Sequence, residues 1–375
     1  MGQKRTIFFA GGGTGGHIYP AVAVAQRIMA VDGFDVQILC STRPIDRQVL
    51  EPLGIAFTAL PATALGLGLA KAARFMATFW ASYRRACRLL AGRDVAATVG
   101  VGGFVAAPAC LAARRLGIPV YLINVDILPG KANRLVARWA REVFVQFDRT
   151  REAFSDLACR VTVTGCPLRV QFDRPDPAMA RQQLGLDPRL HALLVTGASS
   201  GAMNINEAVV RILPRLEAFK DTWQVVHITG ARHIEQVQAG YSGAAIRHNV
   251  IAYYHQMADL YAACDLVVGR SGAVSVAEYV ACGLPSICMP YPYHRDRHQY
   301  LNAKVLADAG AAVIVEDVPD PEQRADRLWR QLAILLADSN ARQRMAAACR
   351  HLARPGAAIA IAEAIMAGAD NMDLA

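Results

Sequence analysis

Short apolar runs alternate with helix-length segments along this chain, and the series runs twice. TIFFA (6–10), DVQILC (35–40), VAATVG (95–100), VYLINV (120–125) and EVFVQF (142–147) form the first set. HALLVTG (191–197), QVVHITG (224–230), NVIAYY (249–254), LVVG (266–269), PSICMP (285–290) and AAVIVE (311–316) form the second. Helical patterns such as PAVAVAQRIMAVD (20–32) and AAPACLAARRLG (106–117) lie between them. Strand–helix alternation builds parallel sheets with helices on both faces, and strands buried on both faces read as continuous apolar runs. The pattern predicts an α/β chain of two doubly wound, Rossmann-like domains. The break falls near TGCPLR (164–169) and the polar DRPDPAMARQQ (173–183). Ligands of such sheets bind beyond the carboxyl ends of the strands.

With 375 residues, 54% of them apolar, the chain can bury two cores. Lys and Arg number 40 against 31 Asp and Glu, a net charge of +9. That excess favours an anionic partner: nucleotide phosphates, anionic lipid or nucleic acid. No nucleic-acid recognition module is evident in the sequence, which sets the last aside. The nine cysteines (40, 87, 110, 159, 166, 264, 282, 288 and 349) are odd in number and form no C-x-x-C. Reduced thiols are expected rather than a disulfide framework or a zinc site. The start MGQKRTIFFAGGG does not read as a signal peptide, and Met1-Gly2 followed by Thr6 is only superficially a myristoylation signal. VAATVGVGGFVAAPACLAA (95–113) is uncharged, but Gly100, Gly102, Gly103 and Pro108 divide it into a strand, a turn and a helix start.

The loop Gly11-Gly12-Gly13-Thr14-Gly15-Gly16 satisfies G-x-G-x-x-G and follows an apolar run. Glycines there let the backbone approach a ligand, and the next helix offers unpaired N–H groups to an anion. A dinucleotide site also needs an acid at the end of strand two; here that strand ends LCSTRP and no acid appears before Asp46. His17 sits where the helix begins and is a candidate general base near neutral pH. A second small-residue loop, LLVTGASSGAMN, repeats the arrangement in the other half. A third, Ser271-Gly272 after LVVGR, also suits a phosphate, and Glu278 two turns later suits a ribose diol. HRDRHQYLNA (294–303) follows with Arg295, Arg297, His298, Gln299 and Asn302, the last and Gln299 sharing a helical face.

GGTGGHIYPAVAVA (12–25), GVGGFVAAP (100–108), GCPLR (165–169), GASSGAMNIN (197–206), RSGAVSVAEYVACGLPSICMPYP (270–292) and DRHQYLNA (296–303) together resemble the MurG family over roughly residues 5–368. The resemblance implies a GT-B fold: two Rossmann-like domains facing across a cleft, working without metal or cofactor and inverting the anomeric centre. It implies transfer of N-acetylglucosamine from UDP-N-acetylglucosamine to the 4-hydroxyl of an undecaprenyl-diphosphate-linked muramyl-pentapeptide. Residues 1–165 would bind the acceptor and the membrane, 166–345 the UDP-sugar, and 346–375 would form a helix packing back on the first domain. On the donor side, Arg169 and Ser199 would meet the diphosphate, as would the Ser271-Gly272 loop, with Arg270 as a further cation. Tyr253 would lie over the uracil, Tyr254 would offer backbone groups to the base edge, Glu278 would hold the ribose, and Gln299 and Asn302 would read the sugar hydroxyls. His298 replaces one of the family's two glutamines. On the acceptor side, Thr14, Gly15 and Gly16 would take the diphosphate and His17 the proton.

The family's His-Glu-x-Asn motif after the fourth strand is replaced by Ile123, Asn124 and Asp126. Asp126 could serve as base or as the orienter of His17. The departure leaves two other readings: an inverting transferase with a different lipid-linked acceptor, and a catalytically silent UDP-sugar-binding scaffold for cell-wall enzymes. AKAARFMATFWASYRRACRLL (70–90) predicts a basic amphipathic helix, with Phe75, Met76, Phe79, Trp80, Tyr83, Cys87 and Leu90 on one face. With a lipid-linked acceptor, Leu65, Leu67, Leu69, Phe75, Phe79 and the basic residues are expected to attach the protein peripherally to an anionic membrane surface. The expected place is the cytoplasmic face of the plasma membrane, with cell-wall and division proteins as candidate partners.

Overall fold

The computed structural model describes residues 4–64, 68–197 and 201–370. The chain divides into two compact units, Met1–Val170 with Arg354–Ala375, and Gln171–Ala353. The boundaries fall a few residues beyond 165 and 345 for local reasons. Gly165 packs directly on the Arg354 side chain, and Val170 N donates to Gln26 Oε1 at 3.3 Å, so GCPLR stays with the first unit. The helix Ser339–Leu352 packs on the helix Ala273–Ala281 of the second unit, so the returning segment begins only at Arg354.

The first unit holds strands β1 (Arg5–Gly11), β2 (Phe34–Ser41), β3 (Ala56–Leu60), β4 (Val95–Gly102), β5 (Val120–Asn124), β6 (Glu142–Val145) and β7 (Arg160–Val163). They form one parallel sheet in the order β3-β2-β1-β4-β5-β6-β7. The second unit holds β8 (His191–Thr196), β9 (Trp223–Ile228), β10 (His248–Ile251), β11 (Leu266–Gly269), β12 (Ser286–Cys288) and β13 (Ala312–Ile314), ordered β10-β9-β8-β11-β12-β13. The strand order reverses between β1 and β4 in one sheet and between β8 and β11 in the other. Crevices at such switch points are where doubly wound sheets take ligands. The glycine loop after β1, the small-residue loop after β8 and Ser271-Gly272 after β11 all leave strands at these two points.

Two strands lie outside the eleven runs. AFTAL (β3) and RVTV (β7) are the edges of the first sheet, and neither is apolar throughout. Central strands are buried along their length, as in Ile7–Ala10 and Ala192–Val195. Each such Ile, Leu or Phe contributes about 1.5–3 kcal/mol on burial. The helix Gly15–Met29 begins two residues before His17, so it takes in more of the glycine loop than the pattern PAVAVAQRIMAVD shows, and it contains Pro20. Proline lacks the N–H that would bond Gly16 O, a loss tolerated near a helix start. The helix Ala357–Asp370 lies on Gly15–Met29, with Ile361, Ile365 and Ala369 wholly buried. Arg5 and Arg141 donate to its last carbonyls, Ala369 O at 3.1 Å and Gly368 O at 3.3 Å.

The second core contains a polar network. His227 is fully buried, with Nδ1 3.0 Å from Tyr241 Oη and Nε2 3.0 Å from Asn206 Oδ1. Burial pushes its pKa down to about 3, so it is neutral in the fold. All nine cysteines are unpaired.

Candidate functional site

The first unit gathers its functional groups at the ends of β1, β4 and β5, which are neighbours in the sheet. After β1, Thr14 is extended and caps the helix Gly15–Met29 without a side-chain bond, and no acid occupies the first turn. The orphan N–H groups and positive helix end there are matched to an anion. Asp46, buried in the first turn of the helix Pro44–Leu50, holds the loop beneath. Gly13 N donates to both its oxygens at 2.8 Å, and Ser41 N and Oγ donate to Oδ2 at 2.8 and 2.6 Å. Asp46 is thus not a ribose acid; it is the anchor of the glycine loop. Arg43 Nη1 donates to Gly13 O at 2.9 Å. The first-turn groups Thr14, Gly15 and Gly16 lie beyond this clamp.

His17 lies in the first helical turn, wedged between two glycine loops. Its Nδ1 stands 3.3 Å from Gly12 O and 3.2 Å from Thr14 Oγ1. On the other side, a Cβ on Gly102 would come within 2.7 Å of His17 Cδ2, and one on Gly103 within 2.6 Å of Gly12 O. Both glycines have positive φ, 117° and 76°. These residues of the GVGG stretch are therefore packing partners of the imidazole, a role that spacing along the chain does not reveal. A carbonyl oxygen only accepts, so a hydrogen bond to Gly12 O requires the tautomer with the hydrogen on Nδ1 and the lone pair on Nε2.

Asp126 follows β5 and is half-buried. Asn124, wholly buried, donates to Asp126 O at 2.7 Å and accepts from Asn133 Nδ2 at 2.9 Å. Asn124 thus braces the loop that carries Asp126. The contacts described for His17 Nδ1 come from Gly12 and Thr14. Arg169, expected among the donor residues, belongs to the first unit, with its guanidinium 4.1 Å above the Tyr19 ring.

In the second unit Ser199 lies outside the described residues. Ser271 is fully buried; its hydroxyl donates to Gln299 O at 2.9 Å, and Asn302 Nδ2 donates to Ser271 O at 3.3 Å. Asn302 is itself fully buried, so it holds the Ser271 loop rather than facing a sugar. Gln299 Oε1 accepts from Tyr291 N at 2.9 Å. Ser271, Gln299 and Asn302 therefore form one interlocked unit. Gly272 caps the helix Ala273–Ala281 in extended geometry, no acid stands in its first turn, and open space lies where its Cβ would be. Glu278 is buried on that helix. Arg270 is not available as an anion-binding cation. It pairs with buried Asp317 at 2.8 Å and donates to Met289 O at 2.8 Å; burial lowers its pKa against the pull of Asp317.

Tyr253 is 44% exposed, its ring edge-on to His255 at 4.8 Å. Tyr254 Oη donates to Gln183 Oε1 at 2.7 Å, and burial, then Asp259, raises its pKa. His298 stacks on His294 at 4.3 Å and bonds Asp296 at 2.8 Å. Among the described residues no group of three His, Cys, Asp or Glu is placed to hold a metal.

The basic helix spans Leu69–Ala91. Its buried seam is Ser82, Ala86 and Leu90, and Phe79, Tyr83, Cys87 and Leu89 pack partly on the core. The apolar face is thus divided: its C-terminal part belongs to the fold. Leu69, Met76 and Trp80 are 93, 48 and 46% exposed, and Phe75 is half-buried. Phe79, expected at a membrane, is committed in part to the core. Leu65 and Leu67 lie outside the described residues.

Residues 7–145 match the N-terminal domain of glycosyltransferase family 28, and residues 192–359 match its C-terminal domain. A UDP-N-acetylglucosamine–N-acetylmuramyl-(pentapeptide) pyrophosphoryl-undecaprenol N-acetylglucosamine transferase of Geobacter metallireducens is 36% identical, over 96% of this chain and 98% of its own. The same-named protein of Moorella thermoacetica is 35% identical over equal shares. The crystal structure of Acinetobacter baumannii MurG superposes with a TM-score of 0.72 at 29% identity, over 96% of this chain and 99% of that one. A Polygonum tinctorium UDP-glucosyltransferase, 16% identical, shares the fold with a TM-score of 0.73, over 99% of this chain and 100% of that one.

Proposed function

The chain belongs to the MurG family, with the two Rossmann-like units of a GT-B glycosyltransferase, and on that premise we propose how its residues serve the family's reaction. The protein transfers N-acetylglucosamine from UDP-N-acetylglucosamine to the N-acetylmuramyl-(pentapeptide) pyrophosphoryl-undecaprenol acceptor in peptidoglycan synthesis. The observation that carries the reading is the end-to-end match to transferases named for this reaction.

The muramyl 4-hydroxyl oxygen attacks C1 of N-acetylglucosamine. The bond from C1 to the diphosphate oxygen breaks, its electron pair leaves with UDP, and the configuration at C1 inverts. His17 Nε2 accepts the hydroxyl proton as oxygen attacks; positioned bases of this kind are worth about 10²–10⁴ in rate. Thr14, Gly15 and Gly16 hold the acceptor diphosphate at the helix start. In the second unit Glu278 binds the ribose, Tyr253 covers the uracil, and Tyr254 offers backbone groups to its edge. Charge developing on the leaving diphosphate meets the N–H groups at Gly272 and in the Ser199 loop. Gln299 reads the sugar, while Asn302 positions it through Ser271. Arg169, stacked on Tyr19, presents a cation toward phosphate, and Asp126 sits on the acceptor loop. The exposed Leu69, Met76 and Trp80, with the neighbouring arginines, attach the protein peripherally to the cytoplasmic face of an anionic membrane. Attachment there places it beside cell-wall and division proteins.

The test is transfer of labelled N-acetylglucosamine from its UDP donor to the undecaprenyl-diphosphate muramyl-pentapeptide, in detergent and without added metal. Product is expected. No product while UDP-sugar binding stays tight would overturn the acceptor assignment and return the chain to the scaffold or changed-acceptor readings.

A further inference from the structure

One peptide unit joins Asp46 to His17. Its N–H, on Gly13, donates to both Asp46 oxygens at 2.8 Å. Its C=O, on Gly12, stands 3.3 Å from His17 Nδ1. No cis peptide bond occurs among the described residues, and a trans unit points its N–H and C=O in opposite directions. Whatever fixes the N–H therefore aims the carbonyl. We propose that Asp46 is a positioning residue for His17: it fixes the Gly12–Gly13 peptide plane and thereby holds the imidazole in the tautomer with its lone pair on Nε2. The inference rests on the reading of His17 as the base.

Several features make the plane rigid. Asp46 is wholly buried, with Ser41 N and Oγ as its further donors. A Cβ on Gly12 would lie 2.3 Å from Asp46 Oδ2, and a Cβ on Gly103 2.6 Å from Gly12 O, so side chains are excluded on both sides. A carboxylate on the N–H also polarises the peptide and makes Gly12 O a stronger acceptor for Nδ1–H. No proton crosses the peptide; what passes through it is orientation. Catalytic triads place a carboxylate directly on the imidazole for the same purpose, whereas here a backbone amide stands between. Arg43 supplies an internal control, because it bonds the next carbonyl, Gly13 O, and leaves the Gly12–Gly13 unit alone.

The experiment compares Asp46→Asn, Arg43→Gln and His17→Ala in the full chain, by donor-saturated turnover, donor KM and the ring-nitrogen NMR signals of His17. Asp46→Asn keeps one oxygen acceptor for Gly13 N–H but turns the other into an N–H₂ and removes the carboxylate charge, so the bifurcated grip on the peptide is lost. It is expected to lower kcat by about 10–100-fold, the range for lost orienting partners, with donor KM within about twofold. The His17 signals are expected to change from a single Nδ1–H form to a mixture. Arg43→Gln is expected to stay within about threefold of the parent in kcat, with the tautomer unchanged. An unchanged tautomer in folded Asp46→Asn overturns the proposal, as does an equal loss from Arg43→Gln, which would mean general loop-holding. Should Asp46→Asn unfold, Asp46→Glu serves in its place: restoration of the Nδ1–H form supports the proposal, and a mixture in a folded protein overturns it. If His17→Ala leaves kcat intact, it is the base assignment that fails, a separate outcome.

Discussion

The two units share a sheet plan and differ in how they treat charge. The unit built from Met1–Val170 and Arg354–Ala375 holds 22 Lys and Arg against 13 Asp and Glu; Gln171–Ala353 holds 18 of each. The whole excess of +9 therefore belongs to one unit. In the neutral unit a cluster of arginines is paired: Arg324 bonds Asp317 and Glu207, Arg211 bonds Glu207 and Glu322, and Arg215 bonds Asp326. In the basic unit Lys71, Arg74, Arg84, Arg85 and Arg88 have no carboxylate partner among the described residues. Paired charge is spent within the fold and fixes a scaffold, as the proposed nucleotide site in this unit requires. Unpaired charge is left to act on something outside the chain.

The sharpest way to break this division of labour is His17→Ala. If chemistry sits in the basic unit, kcat falls by about 10²–10⁴, while the dissociation constant for UDP-N-acetylglucosamine, measured by calorimetry, stays within about twofold. Equal losses in both would make His17 a binding residue. Next comes the unpaired charge: Arg84, Arg85 and Arg88 changed together to Gln should weaken attachment to phosphatidylglycerol vesicles by about 3 kcal/mol at low salt, near 1 kcal/mol per residue. Neutral vesicles should show no difference, and an equal loss on both kinds would point to misfolding. In the neutral unit, Glu278→Ala removes a charged hydrogen-bond partner worth about 1.5–3 kcal/mol, so donor affinity should fall by about ten- to a hundredfold. An unchanged dissociation constant removes Glu278 from the ribose site.

The smallest effect per step is in pH. Burial holds the His227 pKa near 3, below its ordinary 6.5. A lowered folded pKa gives stability that is present above pH 6.5 and is lost as pH falls toward 3. The slope is about 1.4 kcal/mol per pH unit. Hydrogen exchange in β9 should therefore accelerate relative to β4 as the medium is acidified through that window. Protection lost equally in both strands would mean that the two units do not unfold independently.

Strand legibility followed burial. Central strands such as FFA and LLV are apolar because both faces are covered, and their runs stand out. AFTAL and RVTV, each with a neighbour on only one side, carry polar or exposed positions, whereas the edge strands β10 and β13 of the second sheet were legible because their runs NVIAYY and AAVIVE stay mostly apolar. The glycine loops and His17 could also be read, since special backbone geometry demands special residues. Their supports could not. Asp46 meets Gly13, and Gly102 meets His17, only through the folding of the sheet. Arg270 looks like a free cation in sequence because its counter-ion, Asp317, arrives from beyond β13. Ser271 and Asn302 look like ligand groups because their hydrogen-bonding capacity is visible, whereas its consumption by each other's neighbourhood is not.

The helix Ala357–Asp370 covers Gly15–Met29 and abuts Tyr121, whose hydroxyl leaves room only for glycine at 368. A ribosome makes the glycine loop and its histidine early and this cover after all of Gln171–Ala353. Domains generally fold as units in the order they emerge. Here the first unit to emerge is the last to be closed, and the middle of the chain can mature while the unit that carries the proposed base still shows a bare apolar flank. Assembly thus carries its own timer, in which the second unit must be synthesised before the first is sealed.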